Sequence, residues 1–361
     1  MTQHYNFSIK FRVIESMFFR SPGEFSPATR ETTTVTTSLA IPLPSTIAGA
    51  LAYMFVERGI HPSGNSWYEE IISVLSKVFG NEFCIKGPFL MIEEHGNVRD
   101  IMLPLSVSIV NDNLISLQKL LKITVNETCK GLENLALRIS TKVRELSKES
   151  ITVLRYFKPG IALRRPQKSV KSGYLYSVEF VDYSSRRKYE TYVGIDIKAE
   201  KIQKMEGIID LGGERRVVYT TMHNKPILSE ELGKCVKEHD EFILYIAQPI
   251  LYHFDLITKD ETDIIYPSIK RLEEHIKTEL TMSLGEILKF DAYLNIKTIS
   301  VGFSVRRKVR KPIYLAILPG SILYVKLRKP CALSEIYWNT LLGLNETYKL
   351  GYGTMIPVHL H

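Results

Sequence analysis

Pro42-Leu43-Pro44-Ser45-Thr46-Ile47-Ala48-Gly49-Ala50-Leu51-Ala52-Tyr53-Met54-Phe55 is the segment on which the reading of the fold turns. Pro44 stops what precedes it, and Ser45 is placed to cap a helix. Ile47, Leu51, Met54 and Phe55 recur at the spacing of one helical face, and Gly59 can end it. Gly49 and the alanines form a small-residue side that permits close approach. Upstream, Phe7 to Glu15 alternates in the manner of a strand, and the polar, Thr-rich run from Ser21 to Ser38 reads as a long surface loop. Downstream, Trp67 to Phe79 predicts a second helix. Phe83–Glu93 and Val98–Leu103 predict strands joined by the turn Glu94-His95-Gly96-Asn97. Strand, helix, strand, strand is the opening of a ferredoxin-like domain.

Farther along, Asn113 to Leu121 carries mixed signals with a helical leaning, and Leu132 to Ser147 predicts a helix with a charged face. Gly173–Asp182 and Tyr189–Ile197 read as two alternating strands. The basic stretch Tyr183-Ser184-Ser185-Arg186-Arg187-Lys188 between them predicts the tip of a protruding hairpin. The last third repeats the mixed pattern. Strands are expected at Glu241–Ile246, Ala292–Val305, Ile313–Leu318 and Ser321–Leu327, with helices at Ser283–Phe290 and Leu333–Leu342. A final strand, broken by glycines, is expected at Tyr348–Val358. A domain boundary near residue 230 follows, which suits a chain of 361 residues.

Hydrophobic residues make up 45% of the chain and charged residues 24%, a globular profile that excludes a disordered one. No apolar run approaches the roughly 20 residues that span a bilayer, and the N-terminus lacks an apolar signal core. A cytoplasmic protein without a membrane partner is expected. Cys84, Cys129, Cys235 and Cys331 are far apart and show no metal-ligand spacing, so buried free thiols and no metal site are expected. Walker A, GxSxG and HExxH patterns are absent, which leaves no cofactor and no enzyme chemistry to assign. His239-Asp240 lies in a charged stretch with no partner motif.

The net charge of +8 favours a polyanionic partner. The positive charge is clustered: Arg155, Lys158, Arg164, Arg165, Lys168 and Lys171 share one stretch without an acid between them. Arg186-Arg187-Lys188, Arg215-Arg216 and Arg306-Arg307-Lys308-Val309-Arg310-Lys311 follow. Tyr156, Phe157, Tyr174, Tyr176, Tyr183, Tyr189, Tyr192 and Phe303 are interleaved. Cations that hold phosphates beside aromatic faces that stack on bases suit single-stranded RNA. The competing explanation, strand tyrosines beside a solvated charged face, fits any one tyrosine better but the set less well. Three further segments are candidates. Asp210-Leu211-Gly212-Gly213-Glu214-Arg215-Arg216 could admit a phosphate or simply form a Gly-Gly hairpin turn. Its two arginines argue against a metal-binding polymerase turn. Ser45, Thr46 and Gly49 could form an anion site at a helix start or a plain cap, and Gly351-Tyr352-Gly353 an RNA loop or a tight turn.

Taken in order, Met17-Phe18-Phe19-Arg20-Ser21-Pro22-Gly23-Glu24-Phe25, Pro44-Ser45-Thr46-Ile47-Ala48-Gly49-Ala50-Leu51, Leu211-Gly212-Gly213-Glu214-Arg215-Arg216, Leu318-Pro319-Gly320-Ser321-Ile322-Leu323-Tyr324 and Leu350-Gly351-Tyr352-Gly353 carry a resemblance over nearly the whole chain. The sequence resembles the third-subunit family of the Cmr complex, the type III-B CRISPR effector, within the RAMP superfamily. It departs from relatives where Arg20 leads into Ser21-Pro22-Gly23 in place of Arg-Asp-Gly. The resemblance implies an α+β chain of two ferredoxin-like, RRM-related domains, 1–230 with an inserted basic hairpin and 231–361 ending in a glycine-rich loop. It also implies a non-catalytic subunit that binds the 5′ repeat-derived tag of the crRNA. Its neighbours would be the large polymerase/cyclase-like subunit and backbone RAMP subunits. The residues expected to carry RNA are Phe19, Arg20, Ser45, Thr46, Gly49, Arg164, Arg165, Lys168, Gly212, Gly213, Arg215, Arg216, Gly351, Tyr352 and Gly353. Phe19 and Tyr352 are expected to be exposed and to stack on tag bases. The alternatives are a metal-independent endoribonuclease that processes precursor crRNA, the equivalent end subunit of a Csm complex, and a structural subunit without RNA contact.

Overall fold

The structure, a computed structural model, describes residues 4–21, 35–106, 114–123, 135–147, 153–164, 169–183, 189–214, 216–234, 237–253, 269–304, 307 and 309–360. In chain order the elements are β1 (Tyr5–Val13), β2 (Val35–Thr36), α1 (Pro44–Val56), α2 (Trp67–Phe79), β3 (Cys84–Glu94), β4 (Asn97–Pro104), β5 (Leu114–Ser116), α3 (Leu117–Leu121) and α4 (Leu135–Ser147). Then come β6 (Leu154–Arg164), β7 (Ser169–Asp182), β8 (Glu190–Ala199), β9 (Glu206–Asp210), β10 (Val217–His223), α5 (Ile227–Gly233), β11 (Glu238–Ile246), β12 (Ile250–Tyr252) and α6 (Ile269–Leu284). The chain ends with β13 (Ile287–Tyr293), β14 (Ile296–Ser300), β15 (Phe303–Ser304), β16 (Val309–Arg310), β17 (Ile313–Ile317), β18 (Ile322–Ala332), α7 (Leu333–Asn339), a 3-10 turn (Asn345–Leu350) and β19 (Met355–His359).

Alternation sets the main sheet, a seven-stranded one in the order β5-β4-β3-β8-β1-β10-β9. Phe7, Ile9 and Phe11 of β1 point to one face and meet Ile47, Leu51 and Phe55 of α1 and Leu75 and Phe79 of α2 in a single core. Phe89 and Met91 of β3, with Ile101 and Leu103 of β4, turn to the other face. There they pack with Tyr245, Tyr324 and Tyr337 in a second core. β3 is therefore buried on both sides, in keeping with the apolar run Pro88–Ile92 at its centre. The second core also holds the four-stranded sheet β13-β18-β11-β19. Both cores draw residues from before and after residue 230, and residue 230 itself lies inside α5. Among the described residues all strand pairings are antiparallel except β2 with β7, so the architecture is α+β with antiparallel sheets.

α2 begins where expected and for a visible reason. Ser66 accepts from the Glu69 amide at 3.2 Å while the Glu69 carboxylate accepts from the Ser66 amide at 3.1 Å, a capping box worth about 1 kcal/mol. α1 differs. Leu43 is its N-cap, Pro44 its first residue, and the Ser45 hydroxyl donates to the Val301 carbonyl at 3.3 Å instead of capping.

The expected hairpin is corrected. β7 does not pair with β8: its partner is β6 over Leu154–Asp182, while β8 sits between β1 and β3 in the main sheet. Period-two alternation reveals that a strand exists, not which strand it joins, and Pro159-Gly160 interrupts the signal of β6. The basic stretch 184–188 lies outside the described residues. The expected helix at Ser283–Phe290 is also corrected. α6 ends at Leu284, Gly285 takes φ +94° with its amide on the Thr281 carbonyl, and β13 starts at Ile287. The strand expected over Ala292–Val305 breaks into separate pieces, with Gly302 at φ +100°. The last expected strand begins as a 3-10 turn and becomes β19 only after Gly351 and Gly353, both at positive φ.

Candidate nucleic-acid interface

Three of the quoted sequence segments converge at the base of the β6–β7 hairpin. Beyond β1, Met17 exchanges two backbone hydrogen bonds of 2.8 Å with Val181 of β7. Phe18 then lies with its ring centroid 5.9 Å from that of Phe180. Leu211 to Arg216 form the β9–β10 turn, and the Gly213 amide donates to the Phe18 carbonyl at 2.8 Å. A Cβ on Gly212, which holds φ +86°, would stand 2.6 Å from that carbonyl oxygen, and one on Gly213 would stand 2.5 Å from the Phe18 ring. The paired glycines thus admit another stretch of polypeptide. Leu211 donates across the turn to the Arg216 carbonyl at 2.8 Å, so the Gly-Gly hairpin turn is the form adopted.

Phe180 is the centre of a stack. Tyr156 lies nearly parallel to it at 5.7 Å and 19°. The Arg216 guanidinium sits 4.5 Å from its centroid, and the Lys158 ammonium 5.3 Å from it and 5.2 Å from that of Tyr156. Arg216 also forms an ion pair with Glu15, whose other oxygen accepts from the Val217 amide at 3.3 Å. Arg155 pairs with Glu179 and donates to the Ser38 carbonyl at 2.8 Å. These two arginines are spent on the fold. Replacing Arg216 with alanine is expected to cost about 1–2 kcal/mol, and with lysine about half as much, because lysine keeps charge but not the flat stack. Urea denaturation of both variants checks this.

What remains outward at this base is Phe157, 56% exposed, next to the exposed Lys158. Strand alternation puts Tyr156 and Lys158 on one face and Phe157 on the other. Both residues belong to the basic-aromatic stretch of the sequence, yet neither stands out there. The signal that could have found them is the two-residue alternation of aromatic and cation, read as a strand.

Phe19 is buried, contrary to expectation, with its ring 3.2 Å from where a Gly212 Cβ would be. Arg20 is exposed and bridges Ser38 through its backbone. Arg164 pairs with Ser169 at the far end of the hairpin. Arg165, Lys168 and Arg215 lie outside the described residues.

The remaining candidates form a different place, an interior seam. Ser45 is buried on α1, while Thr46 and Gly49 are half-buried. A Cβ on Gly351 would lie 2.5 Å from the Gly87 carbonyl oxygen and 3.4 Å from Pro44 Cβ, and one on Gly353 would lie 2.8 Å from the Leu342 carbonyl oxygen. Tyr352 is 1% exposed, edge-on to Trp67 at 6.2 Å, and cannot meet a base. Burial pushes its phenol well above the ordinary range against the opposing pull of Ser45. Two residues of the C-terminal basic segment bind the chain itself. Arg307 binds Glu70 and the carbonyls of Gly64 and Asn65, and the Lys311 amine, which burial lowers to about 8, lies 4.4 Å from the Trp67 centroid. No metal-holding group of three or more side chains occurs among the described residues, and no helix there is long and apolar enough to cross a membrane.

The chain has an α+β fold whose glycine turns close on its own aromatic residues. The fold is shared with a chain in the cryo-EM structure of the Type III-B Cmr-beta bound to cognate target RNA (TM-score 0.52, 21% identity, 96% of each chain covered). A chain of that complex bound to cognate target RNA and AMPPnP, state 1, is similar as well (TM-score 0.53, 21% identity, 96% of this chain and 95% of that one). The family description Cas_Cmr3, CRISPR-associated protein, matches residues 155–360, and the chain belongs to this Cmr3 family. The CRISPR system CMR subunit Cmr3 of Saccharolobus solfataricus is 26% identical over 356 residues, 96% of this chain and 95% of that protein.

Proposed function

We propose that the chain is the Cmr3 subunit of a type III-B Cmr effector complex and binds the 5′ repeat-derived tag of the crRNA without cleaving it. The observation that carries this reading is family membership across the half of the chain that holds the β6–β7 hairpin. Exposed residues of β6 support this reading. The Phe180 stack holds β6, Phe157 and Lys158 are exposed on it, and in the sequence Arg164, Arg165, Lys168 and Lys171 follow. An exposed aromatic on one face of β6 suits a splayed base, and an exposed cation on the other face suits a phosphate. The large polymerase/cyclase-like subunit and backbone RAMP subunits are the proposed protein neighbours. Two ferredoxin-like units, 1–230 and 231–361, are the proposed organisation.

The purified chain, with and without the large subunit, is titrated into end-labelled RNA carrying an intact or a scrambled tag. Phe157→Ala is expected to weaken tag binding by about 1–3 kcal/mol. Lys158→Ala is expected to lower the salt slope by about 0.7. Phe157→Ala should leave thermal stability unchanged, since its side chain faces solvent, whereas Lys158→Ala also removes a cation from the Tyr156–Phe180 stack and should cost up to about 1 kcal/mol. Equal affinity for the scrambled tag would remove tag reading. RNA that shortens during incubation would replace the binding subunit with an endonuclease.

A further inference from the structure

β9 is an edge of the seven-stranded sheet, with β10 as its only strand neighbour among the described residues. The Leu211 amide points at Arg216, its cross-strand partner. Alternation along an antiparallel strand then directs the amide and carbonyl of Ile209 and Gly207 toward β10, and those of Glu206, Ile208 and Asp210 away from it. No described residue bonds to this outer row. The side chains of the same three residues form the exposed face, an acid, an apolar residue and an acid, with Ile208 68% exposed. On the opposite side Ile209 packs on the first core, while a Cβ on Gly207 would meet nothing within 4 Å. Tyr53 of α1, 55% exposed, stands by the Asp210 end, where Glu57 and then Asp210 push its phenol up.

Proteins guard such edges with lysine, proline or a covering element, because an open edge pairs with whatever strand arrives. β13, an edge of the four-stranded sheet, is guarded in this way: it carries exposed Lys289 and lies against α4 and α6. β9 contains neither lysine nor proline between Glu206 and Asp210. It also carries two exposed carboxylates on a chain of net charge +8: Asp210, and Glu206, which accepts from the Tyr219 hydroxyl at 2.9 Å and lies 3.6 Å from the solvent-exposed Lys204 ammonium, a surface pair that an arriving cation can replace. We propose that β9 is a receiving edge for one extended strand of a partner protein with the pattern basic–x–apolar–x–basic. The apolar residue covers Ile208 and Tyr219, its neighbour on β10, and the two cations face Glu206 and Asp210. The backbone row supplies affinity and the alternating side chains supply selectivity.

The probe is a fluorescein-labelled peptide of three repeats of Lys-Thr-Val-Thr, titrated into the full-length chain. Controls are a scrambled peptide of the same composition and one with glutamate for lysine. Binding is expected to slow amide exchange at Ile208 and Asp210 while leaving Gly207 and Ile209 unchanged. Ile208→Pro removes an outward amide without touching the β9–β10 ladder, so it should weaken the peptide about tenfold at unchanged melting temperature. The double variant Glu206→Lys, Asp210→Lys should lose the lysine peptide and gain the glutamate one, which keeps the test decisive if the proline variant fails to fold. Tag-RNA affinity should not change in either variant. Equal binding of the scrambled peptide, protection elsewhere, or no binding at millimolar peptide would overturn the proposal.

Discussion

Asp196→Ala is expected to cost about 3–5 kcal/mol, a large part of the 5–15 kcal/mol that holds a typical domain folded. Asp196 is fully buried on β8. Its Oδ1 accepts from the Ser8 hydroxyl at 2.6 Å and the Ile227 amide at 2.8 Å. Its Oδ2 accepts from the amides of Leu228 and Ser229 at 3.0 Å and from the Tyr337 hydroxyl at 3.4 Å. One carboxylate therefore takes up the first-turn donors of α5 and ties β1, β8, α5 and α7 together. Alanine would leave those donors dry and unpaired. The fall in melting temperature should be about 5–10 °C, measured by calorimetry.

The same carboxyl makes stability depend on pH. Burial raises it from 3.8 to about 6, against the opposing pull of Ser8 and the three amides. Between those values the folded chain holds a proton that the unfolded chain has released. This contribution is present in full below about pH 4 and is lost as pH rises through about 6, about 3 kcal/mol in all. The alanine variant should lack this fall between pH 4 and 6. A wild-type chain that instead gained stability over that window relative to the variant would show that the donors, not burial, govern the group.

How much of this was legible beforehand depended on the range of the interaction. Local signals sufficed for β1, α2, β3 and β4, because alternation, the Ser66 cap and the Glu94–Asn97 turn act within a few residues. They failed where a partner lay far along the chain. β7 alternates as expected, yet its partner is β6, because nothing local selects one neighbour over another. The candidate residues divide in the same way. Glycines and buried aromatics in Leu211–Arg216, Pro44–Gly49 and Leu350–Gly353 were visible as unusual, but their sequence neighbours do not show whether RNA or the chain itself fills the space they leave. At Gly212, Gly213 and Gly351 it is the chain itself. Asp196 gave no signal at all, for its significance comes from amides some thirty residues away.

Gly351→Ala tests that distinction most sharply, and the expected loss is about 3–5 kcal/mol. Gly351 holds φ +101°, where any side chain already costs about 1–2 kcal/mol. The added methyl would also lie 2.5 Å from the Gly87 carbonyl oxygen, with Pro44 Cβ at 3.4 Å on α1. Neither backbone is free to retreat. The Gly87 amide donates to the Thr354 hydroxyl at 2.9 Å, and that hydroxyl donates to the Gly351 carbonyl at 2.7 Å, so the two strands are pinned through one side chain. Gly59→Ala supplies the comparison. Its φ of +90° is similar, but a Cβ there meets nothing within 4 Å, so only the conformational cost should appear. The difference between the two variants isolates the clash. If the glycine serves the seam, Gly351→Ala loses stability first, and the molecules that remain folded bind tag RNA with wild-type affinity. If the glycine instead lets an RNA backbone approach, affinity falls while the melting temperature of Gly351→Ala stays close to that of Gly59→Ala. The buried Tyr352 beside it favours the first outcome, since no base can reach a ring that is 1% exposed without opening the junction between α1 and β3.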